Sequence, residues 1–402
     1  MNILFLSAED YYSSYPEQYL PIYNKILKNN FKVNFRYIFR HTQSENIVNL
    51  NNGIFLIPRH KENFGIFFSY YDYFIKIKSC IKKINNEYKI ELIHSFDEPM
   101  MGLASYLFSR KKSIPFIYQV THLKEEETLL YVRAGINGHF IKNYLKGKFG
   151  FILRNWLLKK ANIVFAVSLE MKKLFIDYGV QPSRIVVIPA AINFNISTER
   201  TSKEVSELSS KYKLAGSKVI FYMGTLNRFR KLDILLDILK RVNAQLNNTK
   251  LLVVGGTDSD REWFKSKVDE YGLGDKVVLT GLVDRNSLYS HIMLGDVCLA
   301  PYEKNIVNNC NSPVKLLEYI MMKRFVVGTN IPSQIWLISE YQNGITVDHD
   351  AESFSKAIIN YFERPKDISA DYFTQWLEES RSFEAIGEII NDCYKSLTHS
   401  VK

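Results

Sequence analysis

Cysteine is scarce in this chain, and what little there is does not pair. Cys80, Cys298, Cys310 and Cys393 are the only four, and they show neither a CxxC spacing nor a histidine partner, so neither a disulfide framework nor a zinc site is indicated. Long apolar runs are also missing. The longest near the start is Ile3 to Leu6, too short for a signal-peptide core, and no later run approaches the roughly 18 residues of a membrane helix. The expectation is a cytoplasmic protein with reduced cysteines, in which the sequons Asn195-Ile196-Ser197 and Asn247-Asn248-Thr249 carry no meaning. Acidic charge is short in one half only. Residues 1–200 hold 27 Lys+Arg against 16 Asp+Glu, whereas the remainder is close to balance, so the net charge of +10 sits in the first half. Such asymmetry suits an acidic partner there, whether anionic lipid, nucleic acid or a phosphorylated acceptor.

What is present is enough for two folded domains: 402 residues and 46% apolar content. Short apolar strands alternate with helical patterns from Asn2 onward. Asn2 to Ser7, Phe31 to Phe39, Gly53 to Ile57, Ile90 to His94, Ile114 to Val120, Ile163 to Val167 and Ile185 to Ile188 read as strands, with a helical pattern from Tyr19 to Leu27 after the first of them. A second series opens at Val219 to Met223 and continues through Lys250 to Val254, Lys276 to Thr280, Val297 to Ala300, Phe325 to Gly328 and Gly344 to Val347. Strand–helix alternation implies parallel sheets, whose ligands gather at the carboxyl ends of the strands. His94 and His122 stand at such ends. The expected domains are residues 1–195 and 218–380, joined by a polar linker at 196–217 with one helix at most, and followed by a C-terminal helix over 381–402.

Between the halves of the first domain, Glu125 to Lys160 looks helical but interrupted at Gly135, Gly138 and Gly147. Its lysines and arginines (Lys142, Lys146, Lys148, Arg154, Lys159, Lys160) mix with Phe140, Tyr144, Phe149, Phe151, Ile152 and Trp156. That mixture suits either an anionic membrane surface along Phe140 to Lys160 or an aromatic face packed into the domain.

Two stretches of the second domain look built for phosphate. Thr225-Leu226-Asn227-Arg228-Phe229-Arg230-Lys231, after the strand ending in Gly224, places three cations at the sheet's carboxyl edge. In Ser312-Pro313-Val314-Lys315-Leu316-Leu317-Glu318, Ser312 is a good N-cap and Pro313 a good first helical residue, so a helix is expected to begin at Pro313. Free N–H groups at that start and the charge of Lys315 would hold a phosphate. Glu318, three residues on and on the same face, could accept both hydroxyls of a ribose. Phosphate beside ribose reads as a nucleotide. Asp258-Ser259-Asp260 looks like a metal motif but follows a Gly-Gly turn and should start a helix instead.

The ordered set Tyr222-Met223-Gly224-Thr225-Leu226 with Arg230-Lys231, Leu252 to Gly256, Val277 to Val283, Gly295-Asp296-Val297 and Ser312 to Tyr319 resembles the GT-B glycosyltransferases, in detail the retaining family 4 branch. In the first half, His122 after a buried strand and Ile185 to Pro189 extend the likeness. The resemblance implies an α/β fold of two Rossmann-like βαβ domains facing each other across a cleft, with the C-terminal helix crossing back to the first. It further implies a metal-independent transferase, taking a nucleoside diphosphate sugar, UDP or GDP unresolved, to a glycan or lipid-linked acceptor in surface polysaccharide synthesis, with no other cofactor. Gly224, Thr225, Arg228, Arg230, Lys231, Ser312, Pro313, Val314 and Lys315 would hold the diphosphate, Glu318 the ribose, and Leu282 and Val283 the base. His122, Lys231, Arg230 and Glu318 would carry the reaction, while Glu9, Asp10, His94 and Asp97 form a possible acceptor side.

The chain departs from the family in three places. Thr225 stands where Arg is common, Cys310 where the first of two glutamates eight apart is usual, and Glu9 to Tyr15 replace a glycine-rich acceptor loop. Two rival readings follow: a nucleotide-sugar epimerase on the same fold, and a non-catalytic sugar-nucleotide binding subunit. A basic first half would also suit DNA as acceptor, but no base-flipping or groove-reading element is visible and no nucleic acid is expected. The location implied is the cytoplasm, either free or peripheral on the inner face of the plasma membrane.

Overall fold

Most strands in this protein are short apolar runs rather than alternating ones, which is the pattern of parallel sheets covered on both faces. A computed structural model describes residues 1–11, 22, 26–43, 46–50, 53–58, 66–136, 139–194, 198–226, 230–365 and 371–399. The chain divides into two units: Met1–Ala191 with Cys310–Ser312 and Arg381–Lys402, and Ile192–Asn309 with Pro313–Ser380.

The first unit holds β1 (Asn2–Asp10), β2 (Asn34–His41), β3 (Val48–Asn49), β4 (Ile54–Pro58), β5 (Leu92–Phe96), β6 (Phe116–Val120), β7 (Ile163–Ala166) and β8 (Ile185–Val187). Their order across the sheet is β3-β4-β2-β1-β5-β6-β7-β8. Only β3 runs antiparallel, against β4. Ile3, Leu4, Phe5 and Leu6 are fully buried on consecutive positions, so both faces of β1 are covered. The helix Phe383–His399 supplies Ile386, Ile390 and Tyr394 to the same core as Phe5, Phe35 and Phe165. Most of the pattern from Tyr19 to Leu27 falls outside the described residues.

The awkward segment resolves into two helices, Lys124–Arg133 and Phe140–Lys160, with Gly135 at φ 70 between them. Gly138 lies outside the described residues. Gly147 does not interrupt: it lies inside the second helix, where a Cβ would come within 3.1 Å of Leu129, and one at Gly150 within 3.0 Å of Glu125. These glycines let the two helices approach closely. Nor is Arg154 a surface cation. It is fully buried, donating to Glu125 Oε2 at 3.1 Å and to Glu126 Oε1 and Oε2 at 2.5 Å each.

The second unit holds β9 (Lys218–Met223), β10 (Thr249–Val254), β11 (Val277–Gly281), β12 (Val297–Ala300), β13 (Phe325–Thr329) and β14 (Gly344–Val347), all parallel, ordered β11-β10-β9-β12-β13-β14. Its first element is the helix Thr198–Lys211, within the segment read as linker. Glu204 on that helix accepts hydrogen bonds from Ser287 Oγ and, at 2.8 Å, from Ser290 Oγ. Helix Ile234–Asn243 buries Leu235, Leu236, Ile238, Leu239 and Val242 against the sheet. Asp258-Ser259-Asp260 opens the helix Asp258–Glu270, with Thr257 and Asp260 forming a reciprocal capping box. Helices Pro332–Tyr341 and Asp371–Arg381 have no counterpart in the sequence reading. In the first, the run Ile335-Trp336-Leu337-Ile338 hides any helical period. Among the described residues no helix is long and apolar enough to cross a membrane.

Candidate active site

The carboxyl edge of the second sheet converges on one lysine. Gly224 follows β9 at φ 140, and its N–H donates to Val254 O at 2.9 Å. A Cβ at Gly224 would lie 2.8 Å from Lys315 Nζ, so a glycine is needed for the amine to reach the loop. Gly255, at φ 117 after β10, is packed closer still: a Cβ there would stand 2.4 Å from the Gly224 carbonyl oxygen. Glycines on two neighbouring strands thus bring bare backbone together beside a cation, which is the shape of a phosphate cradle.

The Lys315 amine lies 4.3 Å from the centre of the Tyr222 ring and 5.2 Å from that of Tyr302. Burial, reinforced by the Arg230 guanidinium, lowers its pKa to about 7, with Glu318 pulling the other way. Arg230 hydrogen-bonds the Tyr222 hydroxyl. Lys315 and Arg230 therefore lie close enough to repel, and an added diphosphate would relieve that repulsion.

Glu318 is buried one turn along, its pKa raised to about 7 by burial against the opposing pull of Arg285 and Lys315. Arg285 Nη2 stands 3.9 Å from Glu318 Oε1. The next residue, Tyr319, fixes the helix to the sheet by accepting from Met223 N at 3.1 Å. Leu282, just beyond β11, is 79% exposed although apolar, with Val283 half-buried beside it. Lys231 adopts φ 48 and its amine is 2.6 Å from Glu303 Oε1.

The structure thus gathers Gly224, Arg230, Lys315 and Glu318 in one place, and sets Thr225 exposed in the loop that follows Gly224. Arg228 lies outside the described residues. Two details differ from the sequence reading. The helix begins at Val314, with Pro313 rather than Ser312 in the cap position at ψ 104. Ser312 belongs with the first unit, where its Oγ accepts from Ala190 N at 3.1 Å, so it does not cap this helix. Arg285, Glu303 and the two tyrosine rings escaped the sequence reading. Glu303 follows the end of β12 and Arg285 opens the helix after β11, so position at the carboxyl edge was the available signal.

In the first unit, His122 follows β6 and its Nε2 is 2.9 Å from Glu127 Oε2. Glu9 and Asp10 end β1, and Glu9 faces Lys124 Nζ at 3.4 Å. Asp97, at φ 60, accepts from Thr121 N at 2.7 Å and from Thr121 Oγ1 at 2.5 Å. His94 is placed otherwise than an acceptor-side residue requires. It is fully buried, its Nδ1 2.7 Å from Tyr394 Oη, and burial lowers its pKa to about 3, so it serves the core as a neutral ring. Cys310, at the position of the family's first glutamate, is buried with its thiol pushed up to about 12, so it offers no anion in a carboxylate's stead. Among the described residues no three His, Cys, Asp or Glu side chains gather as metal ligands.

Residues 217–364 match the family described as glycosyl transferases group 1, and residues 40–195 match glycosyltransferase family 4. The two matches account for most of the chain, which belongs to these GT-B glycosyltransferases. Solved structures share the fold over nearly the whole length. Sucrose-phosphate synthase from Thermosynechococcus elongatus has TM-score 0.76 at 16% identity, covering 99% of each chain. Anabaena HepE in complex with UDP and glucose has TM-score 0.70 at 14% identity, covering 98% of this chain and 100% of that one. A glycosyltransferase from Rickettsia africae has TM-score 0.68 at 16% identity, covering 98% of each. A search of curated proteins with the sequence finds no match.

Proposed function

We propose that this protein is a retaining, metal-independent glycosyltransferase that moves a sugar from a nucleoside diphosphate sugar to a glycan or glycolipid acceptor in surface polysaccharide synthesis. The observation that carries the reading is the Lys315 amine pressed against Gly224, with Glu318 buried one turn away. HepE is described in complexes with UDP and with UDP-glucose, and the same class of donor suits this site. Lys315, Arg230 and Lys231 meet the diphosphate, Glu318 accepts from the ribose hydroxyls, and the backbone at Leu282 and Val283 meets the base. Lys231 reaches the diphosphate by exchanging its Glu303 partner for phosphate oxygen.

In the transfer itself, the acceptor hydroxyl attacks the anomeric carbon on the face the diphosphate leaves. The bond from that carbon to the acceptor oxygen forms as the bond to the phosphate oxygen breaks, and the acceptor's proton passes to the departing phosphate. Charge grows on that phosphate, and fixed cations stabilise it by several kcal/mol in a water-poor site. Three lysine and arginine side chains at one loop supply the charge that a metal ion supplies elsewhere. His122 hydrogen-bonds the donor sugar near the anomeric centre.

An anionic membrane surface is the proposed location of the acceptor, on the cytoplasmic side. Helix Phe140–Lys160 buries Gly147, Arg154, Leu157 and Leu158 on one side. On the other it exposes Ile141, Leu145, Phe149, Ile152 and Trp156 at helical spacing, flanked by Lys142, Lys148, Lys159 and Lys160. An exposed apolar stripe edged with lysine is what an anionic bilayer surface takes up. The test is turnover of a UDP- or GDP-sugar with lipid extract as acceptor, followed by NMR of the new linkage. Retained anomeric configuration and full activity in EDTA support the proposal; inversion, a chelator-sensitive rate or isomerised donor without transfer contradicts it.

A further inference from the structure

A cavity of about 310 Å³ lies wholly within the first unit, at the carboxyl ends of β1, β2 and β5. Its volume is at the small end of ligand sites, enough for a sugar residue or two. Arg40, Lys124 and Lys146 line it together with Asp97, Glu98 and Glu125. Among these described residues the charges balance, and most of them are held by partners within the unit. Lys124 Nζ stands 3.4 Å from Glu9 and 3.9 Å from Asp97, Glu98 accepts from Met101 N at 2.6 Å, and Glu125 faces the buried Arg154. Arg40 is fixed by donating its Nε–H to Ala8 O.

Among the described residues a phosphate entering here would meet no net positive field, with Glu9 adding one more carboxylate at the rim of Lys124. A hydroxyl both donates and accepts, and it meets fixed donors and fixed acceptors on every side. Aromatic surface is present as well: the Tyr70 and Phe149 rings lie 6.4 Å apart at the wall, offering apolar faces to the C–H surface of a pyranose. Phe149 and Lys146 also stand on the helix whose exposed stripe was read above as membrane-facing, so the cavity lies beside that stripe.

We infer that this cavity is the acceptor subsite, and that it takes an uncharged, hydroxyl-rich sugar residue rather than a phosphorylated one. The word acceptor rests on the glycosyltransferase reading. The test uses the full chain and ligand-observed NMR with methyl glucoside, methyl galactoside and methyl mannoside against glucose 6-phosphate, galactose 6-phosphate and mannose 6-phosphate. The variants are Arg40→Met, which keeps volume and removes the fork of donors, and Lys146→Ala, at an exposed helix position that keeps the test open if the first variant fails to fold. At least one methyl glycoside is expected to bind, fivefold or more weakly in each folded variant, with its 6-phosphate binding no tighter. No glycoside binding, tighter binding of a sugar phosphate, or equal glycoside binding by both variants overturns the assignment. Thermal shift with UDP and GDP on the same proteins separates the two readings. A wild type that responds to neither nucleotide overturns the glycosyltransferase reading; a normal response together with any of the adverse glycoside results overturns only the cavity's role.

Discussion

Replacing Lys315 with methionine should separate stability from binding, because the amine is held where a cation is unwelcome. Its pKa is lowered to about 7 by burial and by Arg230, so the folded protein without ligand gains nothing from the charge. Methionine keeps most of the side chain's length and packs against the Tyr222 and Tyr302 rings that now face the amine. The Lys315→Met protein should therefore melt no lower than wild type. A diphosphate, in contrast, loses a charge-assisted hydrogen bond worth about 1.5–3 kcal/mol, which at roughly 1.4 kcal/mol per factor of ten weakens binding about ten- to a hundredfold. Isothermal titration with UDP and GDP, alongside thermal melting, reads both quantities. A variant that melts clearly lower yet binds nucleotide as tightly as wild type would refute the reasoning, since Lys315 would then be a structural cation.

The same lysine sets a pH dependence. Its pKa in the free protein is lowered to about 7, and a bound diphosphate favours the ammonium form, so binding takes up a proton above that pH. Nucleotide affinity should fall as pH rises from 8 to 9, where Glu318 is already ionised, up to tenfold per unit, and Lys315→Arg should abolish the fall because arginine keeps its proton; a flat wild-type profile there counts against the site. Arg154→Leu leaves Glu125 and Glu126 buried without their shared counter-charge, which should cost about 3–5 kcal/mol in chemical denaturation; an unchanged midpoint would mean the triad is not closed in solution. Ile152, 66% exposed on the lysine-edged stripe, can be changed to glutamate without disturbing the core. Ile152→Glu should lower co-sedimentation with phosphatidylglycerol vesicles and leave melting unchanged, and equal sedimentation would rule the stripe out as a membrane contact.

Much of the sheet architecture was legible because parallel strands here are uninterrupted apolar runs, such as Ile3 to Leu6 and Leu251 to Val254, closed by glycine or by a polar turn. Helix Pro332–Tyr341 was not legible, since four consecutive apolar residues erase the period that marks a helix. Glycine was the residue most open to misreading. Gly147 looked like a break because helix interiors disfavour glycine, yet it is a point where a neighbouring helix comes within 3.1 Å of where a Cβ would be. His94 shows the limit of the site reading. A strand end predicts proximity to the ligand edge, but whether the ring faces that edge or Tyr394 depends on a helix 300 residues further along the chain. Glu318 and Lys315 were found because their spacing of three on a helix is local, whereas Arg285 approaches Glu318 only through the order of strands in the second sheet.

On the proposed function, Glu318 and its surroundings hold a nucleoside diphosphate. Thermal shift with UDP, GDP, ADP and CMP and their sugars, on wild type and on Glu318→Ala, tests it most directly. A ligand bound only by the folded state adds RT ln(1 + [L]/Kd), roughly 2.7 kcal/mol at a hundredfold excess over Kd. One nucleoside diphosphate is expected to raise the wild-type Tm, and the rise to shrink in Glu318→Ala. No rise with any nucleotide, or an equal rise in both proteins, would contradict it.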